Sequence, residues 1–215
     1  MSQKVYTFCD IRKGENMMQS IVAKIKKRIY SKSQGFVFTK SHFLDLGSRT
    51  AVAKALERLA DAGAIRRLAR GLYDYPEKHP SLGELPANYE RIAQALAGRD
   101  SLKIQPSGAY AANLLGLTEQ VPAKIVFLTD GANRIVQVKN QQIVLKRTTP
   151  KNMATAGNVS GLVIQALRYL GKDHVDDKTI GMLKKRLTGP AKRQLMRDLR
   201  YAPAWMGSIF RQLQG

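Results

Sequence analysis

The sequence predicts an α+β fold in two parts: an N-terminal winged helix-turn-helix, then a mixed α/β region that ends in a basic helical segment. Three observations carry this prediction. From Thr39 to Pro76 the chain reads TKSHFLDLGSRTAVAKALERLADAGAIRRLARGLYDYP, which orders a short helix, a turn at Gly47, a longer helix and a basic hairpin without a gap. Between residues 87 and 150, β-like runs such as KIVFLT (124–129) alternate with helical stretches. Beyond residue 150 the apolar residues recur at helical spacing, with lysines and arginines on the other faces.

The totals narrow the class. A chain of 215 residues makes one large domain or two small ones, and either can bury a real core. Hydrophobic residues are 44%, and no apolar run approaches the roughly 20 residues a membrane span needs. No membrane partner is expected. The N-terminus lacks the apolar segment of a secretory signal. Cys9 is the single cysteine, which excludes a disulfide or a cysteine metal cluster within one chain and makes a reducing cytoplasm the expected setting. Charge is the strongest global signal: 36 Lys+Arg against 16 Asp+Glu, net +20. The net charge is +1 over residues 1–16, +8 over 17–80, +3 over 81–150 and +8 over 151–215. Two basic parts around a nearly balanced middle suit a polyanion, nucleic acid ahead of a membrane surface. Solvated lysines are the plainer reading of charge alone.

Taken in order, residues 1–16 show no period and are expected to be a flexible tail. From Met17 to Tyr30, Met18, Ile21, Val22, Ile25 and Ile29 recur at helical spacing, with Lys24, Lys26, Lys27 and Arg28 on the other face. Phe36 to Phe38 is a short β-like run placed to close a small sheet. Thr39 or Ser41 caps the next helix, which is expected to run to about Leu46. Ser48 is a good N-cap for a helix over 49–62, with Val52, Leu56 and Leu59 on its apolar face, and Gly63 ends it. Residues 64–68 and 72–75 read as two strands around Arg70-Gly71. The winged unit is thus expected to span 17–78.

A recognition helix enters the major groove by its N-terminal end, where it needs donors and little bulk. Ser48, Arg49, Thr50, Ala53 and Lys54 meet that need, with Lys40 and Ser41 on the preceding helix. Arg66, Arg67 and Arg70 give the hairpin the chemistry of a wing on phosphate or minor groove. The plainer alternatives are an αα-hairpin on a β-hairpin, and a wing that meets a protein partner.

Residues 77–86 hold prolines and a glycine and are expected to be a linker. The second domain is then 87–215, mixed α/β over 87–150 and helical over 151–215. The expected elements of its first part are a helix over 88–97, a strand over 102–105, a small-residue helix over 107–115 and strands over 124–129, 133–138 and 142–147. The run PSGAYAANLLG lacks the spacing and lysine of a phosphate-binding loop, and Asp130 reads as a turn residue. No catalytic, metal-ligating or cofactor-binding set emerges, and none of the three is expected. Beyond 150, helices are expected over 159–170, from Asp176-Asp177 to Leu187, over 191–201 and from Pro203 onward. Lys184, Lys185, Arg186, Lys192, Arg193, Arg197 and Arg200 form a positive surface. It reads as solvated helix faces, a second nucleic-acid contact or a dock for an acidic partner.

Three stretches together, SRTAVAKALERLADAGAIRRLARGLYDYP, PSGAYAANLLGLTEQVPAKIVFLTDG and LKRTTPKN, resemble the AbiEi-type antitoxins of type IV toxin–antitoxin systems, over roughly residues 18–155. The resemblance implies a winged N-terminal domain that binds inverted repeats of double-stranded promoter DNA and represses its own operon. It implies a C-terminal antitoxin domain that counters a nucleotidyltransferase toxin, by routes that differ among relatives. Carried over, Ser48, Arg49, Thr50 and Lys54 would read the DNA and Arg66, Arg67 and Arg70 would form the wing. Two other readings of the C-terminal part are a toxin-modifying enzyme and an RNA-binding module.

Overall fold

The computed structural model describes residues 20–98 and 102–214. The chain is α+β and divides into two compact units, Met1–Arg99 and Asp100–Gly215. Among the described residues no helix is long and apolar enough to cross a membrane.

The first unit begins with helix α1 over 20–30, whose Ile21, Ile25 and Ile29 recur every fourth residue and are buried. Strand β1 (Val37–Thr39) leads into a 3-10 helix (Lys40–Phe43), and helix α2 spans Arg49–Asp61. Ser48 caps α2 by accepting the Ala51 N–H at 3.2 Å. Gly63, with φ of 67°, takes the left-handed conformation that lets the chain leave the helix. Strands β2 (Arg66–Ala69) and β3 (Leu72–Asp74) follow, and the sheet order is β1-β3-β2, antiparallel throughout. Helices and sheet share one core around Ile25, Phe38, Phe43, Leu56, Ile65 and Tyr73. Phe38 and Phe43 meet edge to face at 5.4 Å, a geometry worth about 0.5–1.5 kcal/mol beyond burial.

Three expectations are corrected here. The helix expected from Thr39 or Ser41 to Leu46 is one 3-10 turn ending at Phe43. Phe43 is fully buried and fixes this turn. The segment before Gly47 is too short to recover the cost of starting an α-helix. Arg28 from α1 clamps it instead, donating to the His42 carbonyl at 3.2 Å and to both Asp45 oxygens at 2.8 and 2.7 Å. The expected linker over 77–86 is a hairpin, β4 (Lys78–His79) and β5 (Gly83–Glu84), closed by the Leu85 N–H on the Glu77 carbonyl. Helix α3 (Tyr89–Ala97), assigned from sequence to the second domain, belongs to the first unit. Its buried residues, Ile92, Ala93, Ala95 and Leu96 among them, form an apolar stripe, and the helix packs against β1.

The second unit carries a four-stranded sheet in the order β6-β7-β9-β8. These strands are Ile104–Ser107, Lys124–Thr129, Gln141–Arg147 and Arg134–Val138 in that order, with β7 and β9 parallel and the outer pairs antiparallel. Strand β6 lies two residues beyond its expected place and includes Pro106, which an edge strand tolerates because one side of it needs no N–H. Helix α4 (Gly108–Leu114) follows β6, and α5 (Pro150–Met153) follows β9. Then come α6 (Val159–Leu170), α7 (Asp177–Arg186), α8 (Gly189–Arg197) and α9 (Met206–Gln214), with short 3-10 turns at Lys172–His174 and Leu199–Tyr201. Their core gathers Ala111, Val163, Leu167, Leu183, Leu195 and Phe210.

Helix α6 is the pivot of this unit. It packs on α4, α8 and β6, and the Ser160 hydroxyl near its start donates to buried Asp198, which also accepts from Gln194 Nε2 at 2.8 Å. Gly161 lets the Thr155 carbonyl and the Gln105 side chain close on the helix. A Cβ there would meet the Thr155 oxygen and would sit 2.5 Å from Gln105 Oε1. Gly→Ala in a free helix gains about 0.5–1 kcal/mol. Gly161→Ala is expected to reverse that sign and cost about 1–3 kcal/mol, read as a lower urea midpoint.

Candidate nucleic-acid interface

Burial divides α2 into two faces. Val52, Ala55, Leu56 and Leu59 are buried, whereas Ser48, Arg49, Thr50 and Lys54 are exposed and Ala53 is half-buried. The apolar spacing that docks the helix on α1 and the sheet therefore turns its N-terminal end outward. That turn holds no acidic residue, so the helix end keeps its positive partial charge of roughly half an elementary charge. Arg49 and Lys54 make no hydrogen bond or ion pair in the described residues. Thr50 and Lys54 are one turn apart on the same side. The Ser48 hydroxyl accepts the cap bond, and its proton is free to donate. Lys40 is exposed, while Ser41 is half-buried and its hydroxyl pairs with that of Thr39 at 2.7 Å.

The β2–β3 hairpin turns at Gly71, with φ of 73°. Arg67 and Arg70 are exposed along it and make no ion pair among the described residues. Arg66, expected beside them in the wing, is engaged within the unit. Its Nε and Nη2 donate to the two Asp74 oxygens at 3.1 and 2.6 Å, Nη1 reaches Glu84 at 3.4 Å, and Nη2 also donates to the Leu85 carbonyl at 3.0 Å. Asp74 is 0% exposed. Burial pushes its carboxyl above the usual range, and the Arg66 bonds pull against that shift. The hydrogen bond to Asp74 in turn raises the Arg66 guanidinium. Asp74 is the deeper partner, so desolvation falls mainly on it. Tyr73 between the strands is also raised by burial, against the lowering field of Arg67.

The seven basic residues assigned to the C-terminal face lie in the second unit and are unequal. Lys184 and Lys185 in the last turn of α7 are exposed, and Arg193 on α8 is exposed as well. Lys192 is half-buried. Arg186 is drawn onto α4, where Nη1 donates to the Leu114 carbonyl at 3.2 Å and caps a helix C-terminus. Arg197 binds Gln194 of its own helix at 2.6 Å, and the Arg200 guanidinium lies 4.9 Å from the centre of the Tyr201 ring. Asp130 occupies the turn after β7 and accepts the Lys103 N–H at 3.1 Å.

The residues that sequence reasoning passed over are Asp74 and Glu84, which hold Arg66, and Asp45, which holds Arg28. Each is an acidic residue in a basic segment, and that minority charge is the signal that could have marked them. No curated protein and no solved structure matches the chain. A family model described as a family of unknown function, DUF6088, matches residues 24–195, and the chain belongs to that family.

Proposed function

We propose that the first unit is a winged helix-turn-helix that binds promoter DNA and represses its own operon, with α2 entering the major groove and the β2–β3 hairpin on the flanking backbone. The observation that carries this reading is the outward N-terminal end of α2. Arg49, Thr50 and Lys54 are exposed there, the first turn of the helix holds no acidic residue, and the hairpin beside it carries two arginines without an ion pair among the described residues. Base edges are read by such donors, and phosphates fix the register through residues such as Arg67 and Arg70. The C-terminal unit, on the sequence resemblance, is the antitoxin that counters a nucleotidyltransferase toxin in the cytoplasm.

Footprinting on the region upstream of the gene tests the DNA half. Protection of an inverted repeat is expected, with log affinity falling against log salt by about 0.9 per neutralised phosphate. Arg67→Ala/Arg70→Ala should weaken all DNA sequences alike and lower that slope by about two contacts' worth. Equal affinity for the upstream region and for scrambled DNA would refute the repressor. Co-expression with a nucleotidyltransferase encoded beside the gene tests the other half: growth is restored, or the antitoxin assignment fails.

A further inference from the structure

The C-terminal helices carry a second cationic surface that operator recognition by α2 does not use. Residues 178–215 contain nine lysines and arginines and a single acidic residue. That residue, Asp198, is buried and bonded to Ser160 and Gln194, so its carboxylate is not presented to a ligand at the surface. Lys184, Lys185, Arg193, Arg197 and Arg200 are all exposed. The three arginines follow one another at four and three residues along α8 and the turn after it, a row that repeats about every 5–6 Å along a helix.

A protein partner needs more than charge. Stable protein interfaces are built on a buried apolar or aromatic centre. Among the described residues the large exposed hydrophobic ones, Tyr30, Leu44, Leu82, Val121, Ile135, Val159 and Tyr169, all lie outside 178–215. The acidic residues of this region, Asp176 and Asp177, sit at the start of α7, and a predominantly positive surface with no exposed apolar centre fits a phosphate backbone. The Arg200–Tyr201 pair adds a flat guanidinium face backed by an aromatic ring. Such a face stacks on an unpaired base, which loops and single strands of RNA offer and a duplex does not.

We propose that the C-terminal helical face binds RNA with unpaired bases, through Lys184, Lys185 and the arginine row, independently of operator recognition by the first unit. The test uses the full chain, a fluorescein-labelled RNA hairpin with an unpaired loop, and a duplex DNA of unrelated sequence. Wild type should bind the hairpin with a log–log salt slope near −0.7 per neutralised phosphate. Lys184→Glu/Lys185→Glu/Arg193→Glu should weaken hairpin binding at least tenfold and leave duplex affinity and any operator footprint unchanged. Arg49→Ala/Lys54→Ala should leave hairpin binding unchanged. Arg200→Ala should weaken the looped hairpin more than a fully paired RNA. If charge reversal disturbs the fold by circular dichroism, Lys184→Gln/Lys185→Gln with a predicted loss of severalfold takes its place. No hairpin binding by wild type, an equal loss on duplex DNA, or hairpin affinity untouched by the unit's variants would each overturn the proposal. A missing operator footprint would count against the repressor alone.

Discussion

Replacing Arg66 by alanine is expected to destabilise the first unit by about 3–5 kcal/mol, the range for removing one partner of a buried ion pair. The magnitude comes from what is left behind. The Asp74 side chain is 1% exposed, and without Arg66 it keeps a charge that has lost its two shortest bonds to a cation. The same change takes the guanidinium away from Glu84 and from the Leu85 carbonyl, so the β4–β5 hairpin loses its tie to β2. The pH dependence identifies the mechanism. The folded pKa of Asp74 lies above the ordinary 3.8. Its contribution to stability is therefore fully present below the unfolded value and is lost as pH rises through the folded value. Without Arg66 the folded value moves higher still, and the loss deepens. The Arg66→Ala penalty should be smallest near pH 4 and largest near pH 7, measured by urea melts at both. A penalty independent of pH would mean that Arg66 acts by packing, with Asp74 already neutral. Arg66→Met/Asp74→Leu, which removes both charges, should recover most of the stability.

The same pair shows where the sequence is legible and where it is not. A two-residue turn at Arg70-Gly71 pairs Ala69 with Leu72, and counting back from there sets Arg67 opposite Asp74. The strand instead bulges at Leu68, so that Arg67 faces Tyr73 and Arg66 faces Asp74. One extra residue shifts the register by one and exchanges the inward arginine for the outward one. Bulges answer to packing of the whole sheet, and local composition does not announce them. Elements with a strong period were legible: α6 spans Val159–Leu170 and β7 spans Lys124–Thr129, both as their apolar spacing implies. The residues of 77–86 were not, because proline and glycine mark a tight hairpin and a linker alike. What separates the two is Glu84, whose partner lies 18 residues earlier in the chain. Helix α3 was read correctly as a helix and assigned to the wrong unit. Its apolar stripe states that it packs, and the identity of the surface it covers is a tertiary fact. The exposed end of α2 was legible because helix periodicity alone decides which residues the core takes and which it leaves outside.

That exposed end yields the largest functional effect. Arg49→Ala/Lys54→Ala is expected to weaken operator binding by about 2–6 kcal/mol, since each good base contact is worth about 1–3. This corresponds to a loss of roughly 30-fold to 10⁴-fold. Binding to unrelated DNA rests on phosphates and should fall far less. The outcome to set beside it is stability. Arg49 is a cation in the first turn of α2, where the helix dipole disfavours positive charge, and no acidic residue compensates it. Alanine there should raise stability by about 0.3–1 kcal/mol, and alanine at Lys54 is neutral or favourable for an exposed helix position. Ser48→Ala makes a poor substitute, because it removes the helix cap at a cost of about 1 kcal/mol and mixes folding with binding. Affinity measured on operator and scrambled duplexes, alongside the melting temperature, separates the cases. Operator affinity that falls while the melting temperature holds or rises places Arg49 and Lys54 at the DNA, since a residue kept for the fold would lose both. Unchanged operator affinity would remove α2 from the groove and leave the hairpin arginines to account for any DNA binding.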